Sequence, residues 1–468
     1  MKHFVWRWLA ASSVTIATLA IALACASAAR AETRPQYGGT LHVSMRSAPG
    51  SLDPAEIAQA DSFTARSLTL LIFDTLVTMD DSGRAQAALA TTWQPAANRR
   101  CQFRLRRGVK FHDGTPLTPE IAAASLRIAN PSWNISADAD SLVIERDGTE
   151  SELLAELALP RNAIAKRSSP NKADGTGPFS VTDWQPGKKL TLAAEENYWR
   201  GRPFLDGIEI AMGRSYRDQM TALELGTADL VEVAAEQSHR VSLEGRRLEN
   251  SEPIELLALV FAREAQSTED KLLREALALS IERGSIRSVL LQGAGQPAAS
   301  ILPNWMSGYS FVFSADADLV RARHAREQVR AIPTWSIGYD ANDPVARLIV
   351  ERIALNGRDA GLSLQPSLQP TTGATADVLL VRIPLVSADP WVALADVAAR
   401  AGLAGPTKEE RSAEGLYSAE QALLATQRII PLFHVPVSYA TSAALKNSPV
   451  RADGIWRLDD AWLGNGKP

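Results

Sequence analysis

Residues 103–120 read FRLRRGVKFHDGTPLTPE, and their first half alternates apolar with basic side chains. This alternation predicts a strand whose apolar side chains point inward and whose arginines remain in solvent. Asp113 and Gly114 predict a tight turn, after which Thr118 is a good N-cap and Pro119 suits the first position of a helix. The stretch therefore predicts a strand, a turn and a helix, and its basic side chains are interpreted as a solvated strand face.

Several motifs in the chain resemble those of one known family. Together with Trp93 ahead of it, the stretch above resembles the signature segment of extracellular solute-binding proteins family 5, the peptide- and nickel-type receptors of ATP-driven importers. Residues 175–203, GTGPFSVTDWQPGKKLTLAAEENYWRGRP, are similar to a second hallmark of that family. Residues 38–54, which end in SLDP, and residues 72–80, IFDTLVTMD, are similar to further segments of it.

The resemblance implies an α/β fold of the periplasmic-binding-protein-like type II, in which two lobes are joined by a hinge. Family members usually carry a longer insertion after the signature segment, so the accessory lobe of this chain is expected to be reduced. The expected boundaries are 32–75, 170–250 and 432–468 for the discontinuous lobe I, 76–169 for the reduced accessory lobe, and 251–431 for the second α/β lobe.

The second lobe can also be predicted without the family. Residues 335–339 alternate as a strand, Asp343 and Pro344 predict the cap and first position of a helix, and residues 378–383 predict a central parallel strand. Strand, helix and strand at this spacing indicate an α/β lobe with right-handed crossovers. Ligands of such sheets bind beyond the carboxyl ends of the strands, which directs attention to residues 387–391.

The amino terminus predicts export. Lys2 and Arg7 precede an apolar run from Trp8 to Ala24, and small residues follow up to Ala31. This arrangement is typical of a secretory signal peptide that covers the first 31 residues and is cleaved after Ala31. A retained membrane anchor and lipidation at Cys25 are the alternatives.

Composition and motifs limit the class of function. The 468-residue chain carries a net charge of −4, which argues against nucleic acid as the principal partner. Its two cysteines are Cys25 and Cys101, so loss of the first leaves no internal disulfide and no structural zinc site. The sequence lacks a Gly-x-Ser-x-Gly elbow, a His-Glu-x-x-His helix and a phosphate-binding lysine loop, so no enzyme class is indicated.

Five residues are candidates for ligand contact, each with a structural alternative. In peptide-binding relatives an aspartate in the region of Asp389 pairs with the ligand's α-amino group, whereas an Asp-Pro turn also caps helices. Trp391 can stack on a ligand or pack in a core. Trp305 and Tyr309 can line the cleft or pack between lobes. His434, in an apolar strand, can contact a metal chelate or can be a hydrogen-bonded core histidine.

The resemblance implies a receptor rather than a catalyst. Such a receptor would capture a small solute, most often an oligopeptide, between its lobes and deliver it to the membrane subunits of an ABC importer. It is expected to act in the periplasm as a monomer, without a cofactor, metal or nucleic acid. Nickel chelates, opines and sugars are further ligand classes. The alternatives are an exported hydrolase and a solute-sensing regulator built on the same fold.

Overall fold

The protein is described here from a computed structural model. The structure describes residues 34–57, 63–80, 82–96, 99–169, 172–308, 313–369, 376–406, 411–447 and 450–464. The predicted signal peptide, with Cys25, lies outside these ranges. None of the helices within them combines the length and apolar composition that a membrane crossing requires.

The described strands and helices alternate along most of the chain. The strands are β1 Thr40–Ser44, β2 Val77–Met79, β3 Ala85–Ala87, β4 Ala90–Ala96, β5 Arg100–Leu105, β6 Asn134–Asp138, β7 Ser141–Glu145, β8 Lys166–Ser169, β9 Lys172–Asp174, β10 Phe179–Gln185, β11 Lys189–Ala194, β12 Gly207–Ala211, β13 Leu230–Val233, β14 Arg247–Phe261, β15 Gln296–Pro297, β16 Thr334–Tyr339, β17 Ser363–Leu368, β18 Val378–Pro384, β19 Ile429–Thr441, β20 Leu445–Lys446 and β21 Trp462–Leu463.

The α-helices are α1 Pro54–Ile57, α2 Phe63–Ile72, α3 Pro119–Ala129, α4 Glu150–Leu157, α5 Tyr216–Glu224, α6 Ser238–Leu243, α7 Thr268–Ser280, α8 Arg283–Ser285, α9 Asn304–Ser307, α10 Leu319–Glu327, α11 Ala346–Asp359, α12 Pro390–Arg400 and α13 Ala413–Ala425. Short 3₁₀ turns cover Pro160–Asn162 and Ala235–Gln237, and a π-helical turn covers Ile286–Leu290.

One mixed sheet runs through both halves of the molecule. Its strand order is β10-β11-β12-β1-β13-β19-β14-β18-β16-β17, with β15 on the side of β19. The long antiparallel strands β14 and β19 join the two halves, and their register shifts around Pro253, which lies opposite Pro436. Proline cannot donate to the ladder, so the pairing is interrupted at this point. The connection between the halves is therefore a bent pair of strands.

Three groups of buried side chains form the core. The first core surrounds β1, α2 and β10–β12 and includes Phe179 and Tyr439. The accessory core is formed by buried side chains of residues 76–164 and includes Phe103. The second core covers both faces of β14 and β18 and one face of β16. The lobe boundaries proposed from the sequence stay a prediction.

The signature stretch folds largely as its pattern predicts. Thr118 is the N-cap of α3, where its Oγ1 accepts a hydrogen bond from the backbone N–H of Ile121 at 3.4 Å, and Pro119 is the first helical residue. The exposed arginines of the strand form surface ion pairs, including Arg107 with Asp140 at 3.2 Å. Such pairs contribute little to stability, and the basic stretch is a solvated face of the accessory core.

The only cysteine of the described ranges, Cys101, lies in β5 of the same core. Its side chain is buried and its thiol is free. Burial, with the nearby carboxylate of Glu150, raises the pKa of Cys101 to about 11.

Two expectations for the second lobe are wrong in detail. The helix expected to begin at Pro344 begins at Ala346, although Asp343 Oδ1 accepts a hydrogen bond from the backbone N–H of Val345 at 3.2 Å while Arg382 Nε donates to its Oδ2 at 2.6 Å. The strand expected to be central and parallel, β18, is parallel to β16 but antiparallel to β14. A strand at this place must pair with the long connecting strand, whose direction is fixed by its crossing from the first core.

The two stretches with the strongest family resemblance touch each other. The backbone N–H of His112 donates to the carbonyl of Gly175 at 2.9 Å, and its Nε2 contacts the carbonyl of Gly177 at 3.0 Å. Gly177 in turn donates to the carbonyl of Ile72, at the end of α2, at 2.9 Å. A Cβ added at Gly175 would lie 1.9 Å from that same carbonyl oxygen. Glycine is therefore required at both positions, because the backbone of Ile72 lies too close to leave room for a Cβ.

We predict that Gly175→Ala lowers the free energy of unfolding by at least about 2 kcal/mol, because the clash is with backbone that cannot rotate away. Gly284→Ala is the matched control, since a Cβ at Gly284 meets no atom within 4 Å. The control is expected to be neutral or slightly stabilising. Urea unfolding of both variants is the measurement, and equal midpoints would contradict the prediction.

Candidate functional site

A cavity of about 510 Å³ lies between the first, accessory and second cores. We call it the apolar cavity, because its wall is formed largely by apolar side chains of α2, α4, α9 and the loop that follows β18. Its charged side chains come from four places in the sequence, which are residues 74–80, Arg200, Glu252 and residues 451–459. Its lining includes Phe73, Asp74, Met79, Asp80, Leu159, Tyr198, Arg200, Glu252, Ile254, Trp305, Met306, Leu385, Val386, Ser387, Arg451, Asp453, Trp456, Arg457, Leu458 and Asp459.

The buried carboxylate of Asp74 forms part of this wall. It accepts hydrogen bonds from Thr176 Oγ1 at 2.9 Å, from Tyr198 OH at 2.9 Å and from Trp199 Nε1 at 2.8 Å. Burial raises the pKa of Asp74, while these three donors lower it and so offset part of the effect. With its oxygens engaged, Asp74 fixes the wall of the cavity.

Arginines give the same cavity its positive charge. Arg457 lies between the buried side chains of Trp456 and Leu458, and Arg451 donates to the carbonyl of Met79 at 3.3 Å. The guanidinium of Arg200 lies 4.6 Å from the ring centroid of its neighbour Trp199. Cationic and apolar groups thus line the same cavity.

A larger, charged cavity of about 1100 Å³ lies on the other side of the β14–β19 pair. Its partly buried Arg382 forms ion pairs with Glu255 at 2.8 Å and with Asp343 at 2.6 Å. Burial alone would lower the pKa of Arg382, but these carboxylates outweigh it and raise the pKa. Across this cavity, Arg46 Nη1 donates to the carbonyl of Asn342 at 3.3 Å. The ion pairs of Arg382 thus join elements of the second half, and the Arg46–Asn342 hydrogen bond connects the two halves.

The accessory core and the second core also meet directly at the edge of the apolar cavity. Arg161 forms an ion pair with Asp396 of α12 at 3.2 Å, and Arg411 forms one with Glu152 of α4 at 2.7 Å. Between these pairs, three buried apolar side chains make contact: Ala155, Leu159 and Val392. These contacts hold the cavity closed on one side.

The structure places Asp389 at the start of α12. Its Oδ1 accepts hydrogen bonds from the backbone N–H groups of Trp391 and Val392 at 3.0 and 3.1 Å, and its Oδ2 pairs with Arg411 at 3.3 Å. Trp391 is partly buried against the second core, with the Arg411 guanidinium 5.9 Å from its ring centroid. Both side chains therefore serve the helix and its ion pairs, and neither lines the apolar cavity.

The other three candidates for ligand contact are Trp305, Tyr309 and His434, and the structure places only the first of them at the apolar cavity. Trp305 lines the apolar cavity and is 50% exposed. Tyr309 lies outside the described residues. His434 is buried in β19, where its Nε2 donates to the carbonyl of Ile301 at 3.0 Å. The described residues contain no cluster of histidine, cysteine and carboxylate side chains that could hold a metal ion.

Sequence reasoning missed Asp74, Arg200 and Arg457. The first lies in a segment that resembles the family, but nothing in that segment shows which distant donors surround the carboxylate. Arg457 stands between two apolar residues, a pattern that indicates one outward side chain in a strand-like segment. The pattern does not show that the outward side is a cavity.

Solved structures define the class of fold. The nickel-binding protein NikA from Staphylococcus aureus, in complex with Ni(L-His)2, matches with a TM-score of 0.77 at 17% identity, over 91% of this chain and 99% of that chain. The oligopeptide-binding protein AppA from Bacillus subtilis, in complex with a nonapeptide, matches with a TM-score of 0.74 at 15% identity, over 92% and 100%. The fold is the periplasmic-binding-protein-like type II expected from the sequence.

Residues 84–376 match the family described as bacterial extracellular solute-binding proteins, family 5 Middle, and the chain belongs to this family. Protein XP55 from Streptomyces lividans is 26% identical over 353 residues, which are 67% of this chain and 64% of that protein. NikA of S. aureus is 26% identical over 242 residues, which are 48% of this chain and 49% of that protein. The chain thus spans about half to two thirds of the length of these curated relatives.

The burial of His434 predicts a pH dependence of stability. Burial lowers the pKa of this side chain from its ordinary 6.5 to about 4. The unfolded chain therefore takes up a proton below pH 6.5 that the folded chain does not, and stability is lost as the pH falls from 6.5 to 4. Between pH 7 and 5 the loss should be about 2 kcal/mol.

We expect His434→Gln to reduce this loss, because a glutamine amide can donate to the Ile301 carbonyl without titrating. Exposed His239 provides the control His239→Gln, which should keep the pH dependence of the wild type. Urea midpoints at pH 7 and pH 5 give the comparison. If all three proteins lost the same stability, the assignment to His434 would be wrong.

Proposed function

We propose that this protein is an exported receptor that captures a small solute, an oligopeptide in the first place, and delivers it to the membrane subunits of an ABC importer. Support comes from membership of the solute-binding family. Relatives named as a di/tripeptide-binding protein of Pseudomonas aeruginosa and the oligopeptide-binding protein AppA favour peptides, and NikA keeps nickel chelates as a second ligand class.

One observation carries the assignment of the site. The apolar cavity is lined by side chains of all three cores, with Phe73 from the first, Met79 packed against the accessory and Leu385 from the second. A volume of about 510 Å³ suits a small solute, and such pockets combine apolar walls with a few polar groups that fix orientation. A solute held here contacts both halves of the molecule at once.

Closure is the mechanism that this arrangement supports. The halves are connected by the bent strands β14 and β19, and ion pairs such as Arg161–Asp396 join them at the cavity edge. A solute that contacts both sides binds the closed form more tightly and therefore shifts the population toward it. The importer would then recognise the closed form. No chemical step on the solute is part of this proposal.

The remaining parts of the proposal concern location and assembly. Cleavage after Ala31 would release the receptor into the periplasm as a monomer, and lipidation at Cys25 is the alternative route to the same compartment. Its partners would be the solute and the importer subunits, without nucleic acid. Mass spectrometry of the amino terminus of protein recovered from the periplasm would distinguish the two routes.

A binding screen tests the function. Purified protein, refolded to remove bound solute, is scanned for thermal stabilisation by peptides, nickel-histidine and sugars. A solute at 100 times its Kd should add about 2.7 kcal/mol of stability, which is a clear rise in Tm. Peptides recovered unchanged by mass spectrometry would support binding without hydrolysis. Absence of stabilisation by every class would contradict the receptor function, and peptide turnover would favour a hydrolase.

The ion pair between Arg161 and Asp396 gives a prediction about closure. Asp396→Asn removes the charge from the second core, so ligand-free protein should open more often and its radius of gyration by small-angle X-ray scattering should rise. Glu351→Gln is the control, because the Arg347–Glu351 pair is exposed and lies within α11. An unchanged radius in Asp396→Asn together with unchanged solute affinity would show that the pair does not contribute to closure.

A further inference from the structure

The guanidinium of Arg457 has an unusual position in the apolar cavity. Trp456 and Leu458 on either side of it are 2% and 0% exposed, and the backbone N–H of Trp456 donates to Ser67 Oγ at 3.1 Å. These two side chains are packed in the first core, so the backbone of the segment is firmly held. The side chain between them has to point the other way, toward the cavity that it lines.

Within the described residues, Arg457 takes part in no hydrogen bond and no ion pair, although its side chain is largely buried. Burial, and then the charges of Arg451 and Arg200, lower the pKa of Arg457, while Asp459 acts in the opposite direction without reaching ion-pair distance. An arginine that is partly removed from water and unpaired destabilises the protein. In the ligand-free protein the guanidinium of Arg457 therefore has no direct partner among the described residues, and the carboxylates of Asp453 and Asp459 act on it only from a distance.

Two other carboxylates of the cavity wall are engaged elsewhere. Asp74 is occupied by its three donors, and Asp80 by Arg84, Gln86 and backbone N–H groups. None of the carboxylates that line the cavity within the described residues forms an ion pair with Arg457, so its guanidinium is open to a carboxylate that enters from solvent. A planar guanidinium binds a carboxylate through two parallel hydrogen bonds, which fixes orientation as well as adding affinity.

We propose that Arg457 anchors a carboxylate of the solute, so that the apolar cavity takes a monoanionic solute with an apolar body, such as the carboxyl-terminal part of a peptide. This inference rests on the proposed receptor function and deepens it. A dianionic group such as phosphate fits less well, because the carboxylates of Asp453 and Asp459 line the same cavity and would repel it more strongly. Apolar residues of the solute would face Phe73, Met306 and Leu385.

The probes are matched pairs of tripeptides built from alanine, valine, leucine and phenylalanine, each prepared as the free acid and as the carboxamide. Isothermal titration with refolded wild-type protein should show the free acids binding roughly 10- to 100-fold more tightly than the amides. Arg457→Gln should bind both forms equally, and Arg457→Lys should keep part of the preference. Arg240→Gln removes an arginine that is 82% exposed and should behave as the wild type.

The outcomes separate this inference from the receptor function. Equal binding of acids and amides by the wild type, or a preserved preference in Arg457→Gln, would overturn the role of Arg457 and leave the receptor function standing. Failure of every peptide, nickel-histidine and sugar to bind would overturn the receptor function, and the inference with it.

Stability of the ligand-free protein gives an independent readout. If Arg457 is kept for binding, Arg457→Gln should leave the Tm unchanged or raise it, because it removes an unpaired charge from a partly buried place. A purely structural arginine would behave in the opposite way, so a drop of several degrees in ligand-free Arg457→Gln would contradict the proposal.

Discussion

The buried carboxylate of Asp74 is the interaction on which much of the molecule depends. It gathers donors from two segments that follow it by more than 100 residues, Thr176 and the pair Tyr198-Trp199. A buried carboxylate without donors is strongly unfavourable, so these segments can form their contacts only together. The family motifs are therefore largely parts of one joint, in which the end of α2, the glycine turn at 175–177 and the loop between β11 and β12 are fixed against each other.

The joint also forms part of the wall of the apolar cavity, which we propose as the solute site. It forms a rigid side of the apolar cavity, whereas the opposite side belongs to the second core and is connected through β14 and β19. The interruption of their pairing at Pro253 and Pro436 lies beside the cavity, so bending there changes the distance between its walls. A rigid wall and a movable wall are what a receptor needs if capture is to alter its shape.

Much of the fold could be predicted from the sequence, because the decisive signals were local. Thr118 caps its helix through a contact three residues away, and the family motifs identified the fold that the solved structures share. The candidate site could not be derived in the same way. Asp389 fits both a helix cap and a ligand contact, and only its neighbours in space show that both its oxygens are engaged. Arg457 and Asp74 depend on contacts between distant segments, which spacing along the chain does not reveal.

The low reactivity of Cys101 has a practical consequence for fluorescence labelling of this protein. Its thiol is buried in β5 and its pKa of about 11 leaves almost no thiolate near neutral pH, so thiol reagents should bypass it. A cysteine introduced on the surface beside the cavity would then be the single labelling position in the described part of the chain. An environment-sensitive fluorophore attached there would convert closure into an optical signal, and the receptor would become a reagentless sensor for its own solute.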